Sequence, residues 1–385
     1  MHEIGHAMGL EHSQEVGTFG IVPTAYDAME YTIMSYRSYI GASGVGGYEN
    51  ETWGFAQSYM MLDIAAFQHM YGADFNSNSG NTIYSWSPTS GTTSIDGVAA
   101  ITPGANRIFA TIWDGGGIDT YDLSAYASDL MIDLAPGGFS LFSSTQQAVL
   151  GGTTNKAQGN IYNALQFNND ARSLIENATG GSGNDSISGN VAANTLKGNG
   201  GNDHLYGMNG KDLLVGGSGR DYLNGGGQND KLKGGSSNDK LLGGGKSDIL
   251  LGEKGNDKLV GQGGNDTLNG GGGKDLLTGG AGKDMLRGGA GNDTFRFLAA
   301  SDSNTGSASD IIKDFSKGAD KIDLSALTST PFIFSNNLTA SGPSVTTVNA
   351  AGDTRVLVDV NGDGAADMRI IVDNVLGLTA SDFIL

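Results

Sequence analysis

From Gly180 to Arg296 the sequence repeats every nine residues, as G-G-x-G-x-D-x-U-x with U apolar, in thirteen successive copies. The first Gly is present in every copy, from Gly180 to Gly288. The sixth position is aspartate at Asp185, Asp203, Asp212, Asp221, Asp230, Asp239, Asp248, Asp257, Asp266, Asp275, Asp284 and Asp293, with Asn194 the single departure. The eighth is apolar throughout, from Ile187, Leu196 and Leu205 to Leu286 and Phe295. Three positions held in phase exclude a flexible linker, which would not keep its leucines in register.

Each copy buries one side chain, and that burial alone does not offset the entropy of ordering nine residues. Two copies make one coil, so every second Asp lies about 4.8 Å above the last, the usual strand separation. Like charges at that distance repel by about 3.5 kcal/mol at an effective dielectric near 20. Bound cations reverse the sign. Asp supplies the charge and Gly-rich turns supply carbonyl oxygens, a donor set for calcium. The expectation is a parallel β-roll of about six to seven coils, roughly 30 Å long, with calcium between turns. Sites of this weak class bind at about 10⁻⁴–10⁻³ M, so the roll is expected to fold only outside the cell.

Composition agrees with a patterned repeat: Gly is 64 of 385 residues and Pro only 6. A net charge of −19 disfavours nucleic acid as a partner. With no Cys, disulfides play no part. No apolar run is long enough to span a membrane, and no basic-then-apolar leader opens the chain.

The first residues read His2-Glu3-Ile4-Gly5-His6-Ala7-Met8-Gly9-Leu10-Glu11-His12. In a helix, His2 and His6 share a face, and Gly9 lets the chain turn so that His12 returns as a third ligand. Three imidazoles with an open fourth position suit a catalytic zinc. Glu3 lies beside them as the candidate proton carrier. The spacing H-E-x-x-H-x-x-G-x-x-H is far rarer than H-E-x-x-H alone. His69 and His204 read as packing or surface residues.

Downstream, Tyr31-Thr32-Ile33-Met34-Ser35-Tyr36 completes a pattern that resembles the metzincins, and within them the serralysin family of secreted bacterial proteases. The resemblance implies Met34 as a floor beneath the zinc and Tyr36 as a mobile ligand that stabilises an oxyanion. In that family a sheet-bearing part of the protease domain precedes the zinc helix, so the chain is expected to carry only the C-terminal half of that domain.

Apolar residues from Thr52 to Met70 recur at helical spacing (Phe55, Tyr59, Leu62, Ala66, Met70), with Gly72 as a stop. The expectation is a helix under the active site, with Asp63 as a structural hydrogen-bonding residue. Residues 73–178 alternate short β-like runs with turns. There Asp114-Gly-Gly-Gly-Ile-Asp119 brackets flexible backbone with carboxylates, which suits calcium and equally suits a plain Gly turn. The segment is similar to a serralysin calcium turn, D-x-G-G-x-D, and the resemblance adds Glu176 as a further ligand.

After the roll, Phe295-Arg296-Phe297 and residues 310–324 are similar to the segment that follows it in serralysins. Val345 to Val372 reads as three strands. Asp359-x-Asn361-x-Asp363-Gly364 opens like an EF-hand loop, but Ile370 stands at position twelve, so a hairpin turn is expected. The ending Asp382-Phe383-Ile384-Leu385 is similar to the uncleaved export signal that type I (ABC transporter) systems read.

The sequence thus predicts an α+β, mostly β chain: a partial metzincin domain (1–72), a β-rich connecting region (73–179), the roll (180–297) and a terminal β-sandwich-like region (298–385). The expected function is a secreted, monomeric zinc metalloendopeptidase acting on proteins and exported by type I machinery. The alternative is a non-catalytic secreted calcium-binding module with a protease remnant.

Overall fold

The eighth-position residues from Leu205 to Leu286, and Phe295 after them, are completely buried. In the computed structural model, which describes residues 1–16, 21–44, 48, 50–152 and 154–385, they form the axis of the second of two units, Gly200–Leu385.

Consecutive repeats in this unit alternate between two parallel sheets. Leu214 registers with Leu232 and Leu232 with Leu250 on one face; Leu223 pairs with Leu241 and Leu241 with Leu259 on the other. The register step is two repeats, as a two-copy coil requires, and the architecture is a parallel β-roll. The turns demand unusual backbone. Gly219 sits at φ 119°, with room for a Cβ blocked by the Gly201 carbonyl at 1.8 Å. Where the second or fourth position is not Gly, the residue still adopts the left-handed region, as at Met208 (φ 76°), Ser237 (φ 85°) and Glu253 (φ 74°).

Both faces run on beyond the repeat. Ile312 registers with Leu286, and Ile322 with Phe295. Strands Ser344–Ala350, Asp353–Asp359 and Met368–Val372 form an antiparallel meander, as expected. Its Asp359 loop closes on itself: Asp359 accepts the Gly362 and Gly364 N–H groups at 2.7 and 2.8 Å. That is a hairpin turn. The last strand, Phe383–Ile384, pairs parallel with Lys321–Asp323.

The first unit, Met1–Asn199, opens with α1 (His2–Ala7). It ends because Gly9 turns to φ 97° and Leu10 N–H folds back to Gly5 O. The second helix, α2, spans Met61–Tyr71 and stops at Gly72. It is shorter than its apolar spacing predicts. Residues 52–60 are not helical, because the segment is tied to distant segments: Gln57 N–H donates to Phe109 O, and just before it Glu51 N–H donates to Val149 O. Asp63 then fixes the helix start by accepting Met60 N–H at 2.9 Å. Leu10, Met34, Met61, Phe109 and Tyr162 share one buried cluster, which joins the helical segment to the strands.

The strand region already has roll geometry. Ala178 registers with both Tyr121 and Leu196, and Ile187 with Ile132. Tyr121, Ile132 and Ala178 therefore occupy the buried apolar slot ahead of, or at the start of, the regular repeat.

Candidate metal centres

His2, His6 and His12 each place one ring nitrogen within 4.8 Å of the others. Each ring is anchored through Nδ1: His2 to Ile33 O at 2.7 Å, His6 to Leu10 O at 2.9 Å, and His12 to Glu15 Oε1 at 2.9 Å. Carbonyl and carboxylate oxygens only accept, so Nδ1 carries the hydrogen and Nε2 presents a lone pair. The lone pairs of His6 and His12 then face each other at 3.0 Å. That is repulsive unless a cation sits between them. A tetrahedral ion bonded at about 2.0–2.1 Å sets its donors about 3.3 Å apart, so the three imidazoles fit zinc.

Distant chain holds this geometry. Met34 is buried beneath α1, close enough that a Cβ on Gly5 would lie 2.8 Å from its Sδ. Asp63 accepts the Thr32 hydroxyl at 2.5 Å and the Ile33 N–H at 2.9 Å, steadying the carbonyl that His2 contacts. Its burial pushes that carboxyl up to about 6. Asp27 accepts from the Ser13 hydroxyl (2.5 Å), the Ser35 hydroxyl (2.7 Å) and Arg37 Nε (3.0 Å). It clamps the residue after His12 to both neighbours of Tyr36. Tyr36 in turn reaches His12 Nε2 at 2.5 Å. Glu3 is exposed on the first turn of α1. Glu15, hydrogen-bonded to the His12 imidazole, is held below the usual carboxylate range. An apolar cavity of about 190 Å³ lined by Met29, Ile33, Tyr48, Phe55 and Ala56 adjoins His2.

In the roll, each aspartate reaches one coil back. Asp239 Oδ1 accepts the Asp221 N–H at 2.9 Å, Asp257 Oδ1 that of Asp239 at 2.8 Å, and Asp275 Oδ1 that of Asp257 at 2.8 Å. The second oxygen, Oδ2, is buried with no hydrogen-bond partner at Asp221, Asp230, Asp239, Asp248, Asp257, Asp266, Asp275, Asp284 and Asp293. It points into a cradle that only Gly leaves open: a Cβ on Gly243 would lie 2.5 Å from Asp248 Oδ2 and 2.8 Å from the Gly261 carbonyl. Burial pushes Asp239, Asp248 and Asp284 up to about 7, and Asp230, Asp266, Asp275 and Asp293 to about 6. Orphaned carboxylate oxygens beside backbone carbonyls fit a hard cation. Asp203 and Asp212 enter the same ladder through their own N–H groups. Asp185 differs, since both its oxygens accept backbone N–H groups, from Leu130 and Gly181. At the exceptional repeat, Asn194 holds Asn190 N–H and Glu176 O with a neutral amide.

The ladder outlasts the repeat. Asp310 accepts the Asp284 N–H at 2.8 Å, and its Oδ2 is also buried and unpartnered. Burial raises it to about 8. Asp320 accepts from Asp293 and Ser316, ending the other side. Periodicity missed both because insertions displace them. The surviving signal is the D-x-U triplet, Asp310-Ile-Ile312 and Asp320-Lys-Ile322.

The connecting region brings Asp114, Asp119 and Glu176 together. Glu176 accepts the Asp119 N–H at 2.8 Å, Tyr84 donates to Asp114 at 2.7 Å, and Asp119 Oδ2 is buried without a partner. Burial raises all three, Asp119 to about 7. A Cβ on Gly117 would meet the Gly80 carbonyl at 2.1 Å, so a carbonyl oxygen also faces the turn.

Residues 73–385 match the family model described as Peptidase M10 serralysin C terminal. The chain is similar to the serralysin of Proteus mirabilis, at 34% identity over 200 residues covering 50% of this chain and 35% of that protein. It is also similar to the metallopeptidase AprA of Pseudomonas marginalis, at 35% over 201 residues, or 50% and 37% of the two chains. The aligned part thus spans about a third of these relatives. Among solved structures, the AlgE6R2 subunit of the Azotobacter vinelandii mannuronan C5-epimerase matches at 32% identity over 39% of this chain and 89% of that one, with a TM-score of 0.28.

Proposed function

The chain belongs to the serralysin C-terminal family of the M10 peptidases, and on that premise we propose that it is a secreted zinc metalloendopeptidase whose roll folds on calcium. The histidine helix precedes the matched residues, so the catalytic reading rests on its own geometry. The observation that carries it is the opposed pair of Nε2 lone pairs at 3.0 Å, each ring fixed from behind through Nδ1.

His2, His6 and His12 would hold zinc, which when bound polarises a scissile carbonyl and makes water more acidic. Glu3 would take the proton from the attacking water and return it to the leaving amine. The Tyr36 phenol would donate to the oxyanion that develops on the substrate. The apolar cavity beside His2 suits an apolar side chain of a polypeptide. Aspartates of the roll ladder, now with Asp310, and the Asp114, Asp119 and Glu176 cluster would hold calcium. The terminal residues, docked as a strand in the folded chain, would be read by a type I exporter before folding.

The test is a casein assay with zinc and calcium. The wild-type chain should cleave, and Glu3→Ala should keep its zinc by metal analysis yet lose cleavage by about 10²-fold or more. Full proteolysis by Glu3→Ala would overturn the assignment. A second reading, a calcium-binding module without catalysis, draws on the exposure of Glu3 and on the match beginning at residue 73. It predicts zinc binding and calcium-driven folding with no casein cleavage.

A further inference from the structure

The first unit has another cavity, of about 540 Å³, whose lining includes none of the candidate metal ligands. That size lies within the range of small-molecule sites. Its walls are aromatic: Tyr26 and Tyr31 meet edge to face at 5.2 Å, and Phe139 and Tyr162 lie 5.9 Å apart. Tyr162 is buried behind this wall, its hydroxyl donated to Glu30 Oε1 at 3.0 Å, so Tyr26, Tyr31 and Phe139 are the rings open to a guest. One carboxylate, Asp133, completes the lining.

The Asp133 carboxylate is set rigidly. Its Oδ1 accepts the Ala135 N–H at 2.9 Å, and its own N–H donates to the Ser140 hydroxyl at 3.1 Å. Gly138 leaves Oδ2 reachable, since a Cβ there would stand 2.7 Å from it. Among the described residues Asp133 makes no ion pair with Lys, Arg or His. A neutral apolar guest would desolvate this charge without compensating it, and an anion would be repelled. A cation is attracted both by the carboxylate and by the aromatic rings that line the cavity.

We propose that this cavity binds an alkylammonium group, a cationic head on a short apolar stem, carried either by a small amine or by a lysine side chain. The assignment does not depend on whether the histidine site cleaves peptides.

Calorimetry on the full chain, loaded with zinc and calcium, tests it with matched pairs. Choline is compared with its neutral isostere 3,3-dimethylbutan-1-ol, and N-acetyl-lysine amide with N-acetyl-norleucine amide. The cation of at least one pair should bind about tenfold or more tightly than its neutral partner. Preference within the choline pair alone identifies a small amine, and preference within the lysine pair identifies a side chain. Asp133→Asn keeps an acceptor for Ala135 and should weaken the cation about tenfold while circular dichroism stays unchanged. Tyr26→Leu keeps an apolar wall and should weaken the cation more than the neutral isostere. Equal affinity for cation and isostere, no binding of either cation, or indifference to Asp133→Asn overturns the proposal.

Discussion

The histidine cluster and the aspartate ladder both gather metal-ligating side chains, but they are built in opposite ways. Each imidazole is satisfied from behind by a fixed oxygen, and Asp27, Asp63 and Met34 hold the surrounding backbone. Each roll carboxylate from Asp221 to Asp293 instead has an oxygen buried with nothing to accept. Zinc would therefore relieve the single opposed pair of His6 and His12 on a frame otherwise held by its own hydrogen bonds. Calcium would be part of the structure it enters, because the ladder is mutually repulsive in its absence.

The sharpest way to break that contrast is chelation. With EGTA the far-UV β signal of Gly200–Leu385 should be lost and the segment should become protease-sensitive, both restored by millimolar calcium. An unchanged spectrum in EGTA would falsify the structural role of the cation. Next in size, His6→Ala should weaken zinc by more than the 10- to 100-fold typical of outer-shell changes, yet leave the calcium midpoint unmoved. A shifted midpoint would show that the two regions are not independent.

Asp27→Asn probes the frame itself. It keeps acceptor geometry but loses the charge facing Arg37, and zinc affinity should fall by roughly 10- to 100-fold without unfolding. Full zinc affinity in competition titrations would remove Asp27 from the frame.

Asp239→Asn tests the ladder with a sign. The folded, metal-free carboxyl is raised by burial to about 7, above its ordinary value. Its contribution to stability is therefore present at low pH and lost as pH rises through about 7. At pH 8 in EGTA the amide should return part of the far-UV β signal that the unsubstituted roll loses there. The advantage should vanish near pH 4, and in saturating calcium the variant should be the less stable. Far-UV circular dichroism in EGTA at the two pH values and urea titrations in calcium decide it. Smallest of all, Met208→Gly should stabilise the calcium-loaded roll by about 1 kcal/mol, since Met208 holds φ 76°. A loss in thermal melts would mean that its side chain packs to advantage.

Legibility followed the same divide. The nine-residue period announced the two-repeat register, the leucine axis and the oxygen donors, because in a roll every contact of consequence lies a fixed number of residues away. It failed where an insertion broke the count, at Asp310 and Asp320. Near the N-terminus the helical spacing placed His2 and His6 correctly on one face, but Phe55 and Tyr59 suggested a helical turn that does not form. Between them Gln57 bonds Phe109 O through its N–H and Arg107 O through its side chain, which no local pattern reveals. Asp27 was silent for the same reason: its three partners, Ser13, Ser35 and Arg37, stand 14, 8 and 10 residues away.

By itself, then, the sequence determined which side chains recur and at what spacing, and hence the roll, its acidic ladder and the trio of imidazoles. Only the tertiary structure decided which ring nitrogen of each histidine faces inward, which carboxylate oxygens are left without a donor, and where the ladder ends. Spacing fixes the neighbours within a repeating coil. Hydrogen bonds between distant segments fix the orientation of everything else.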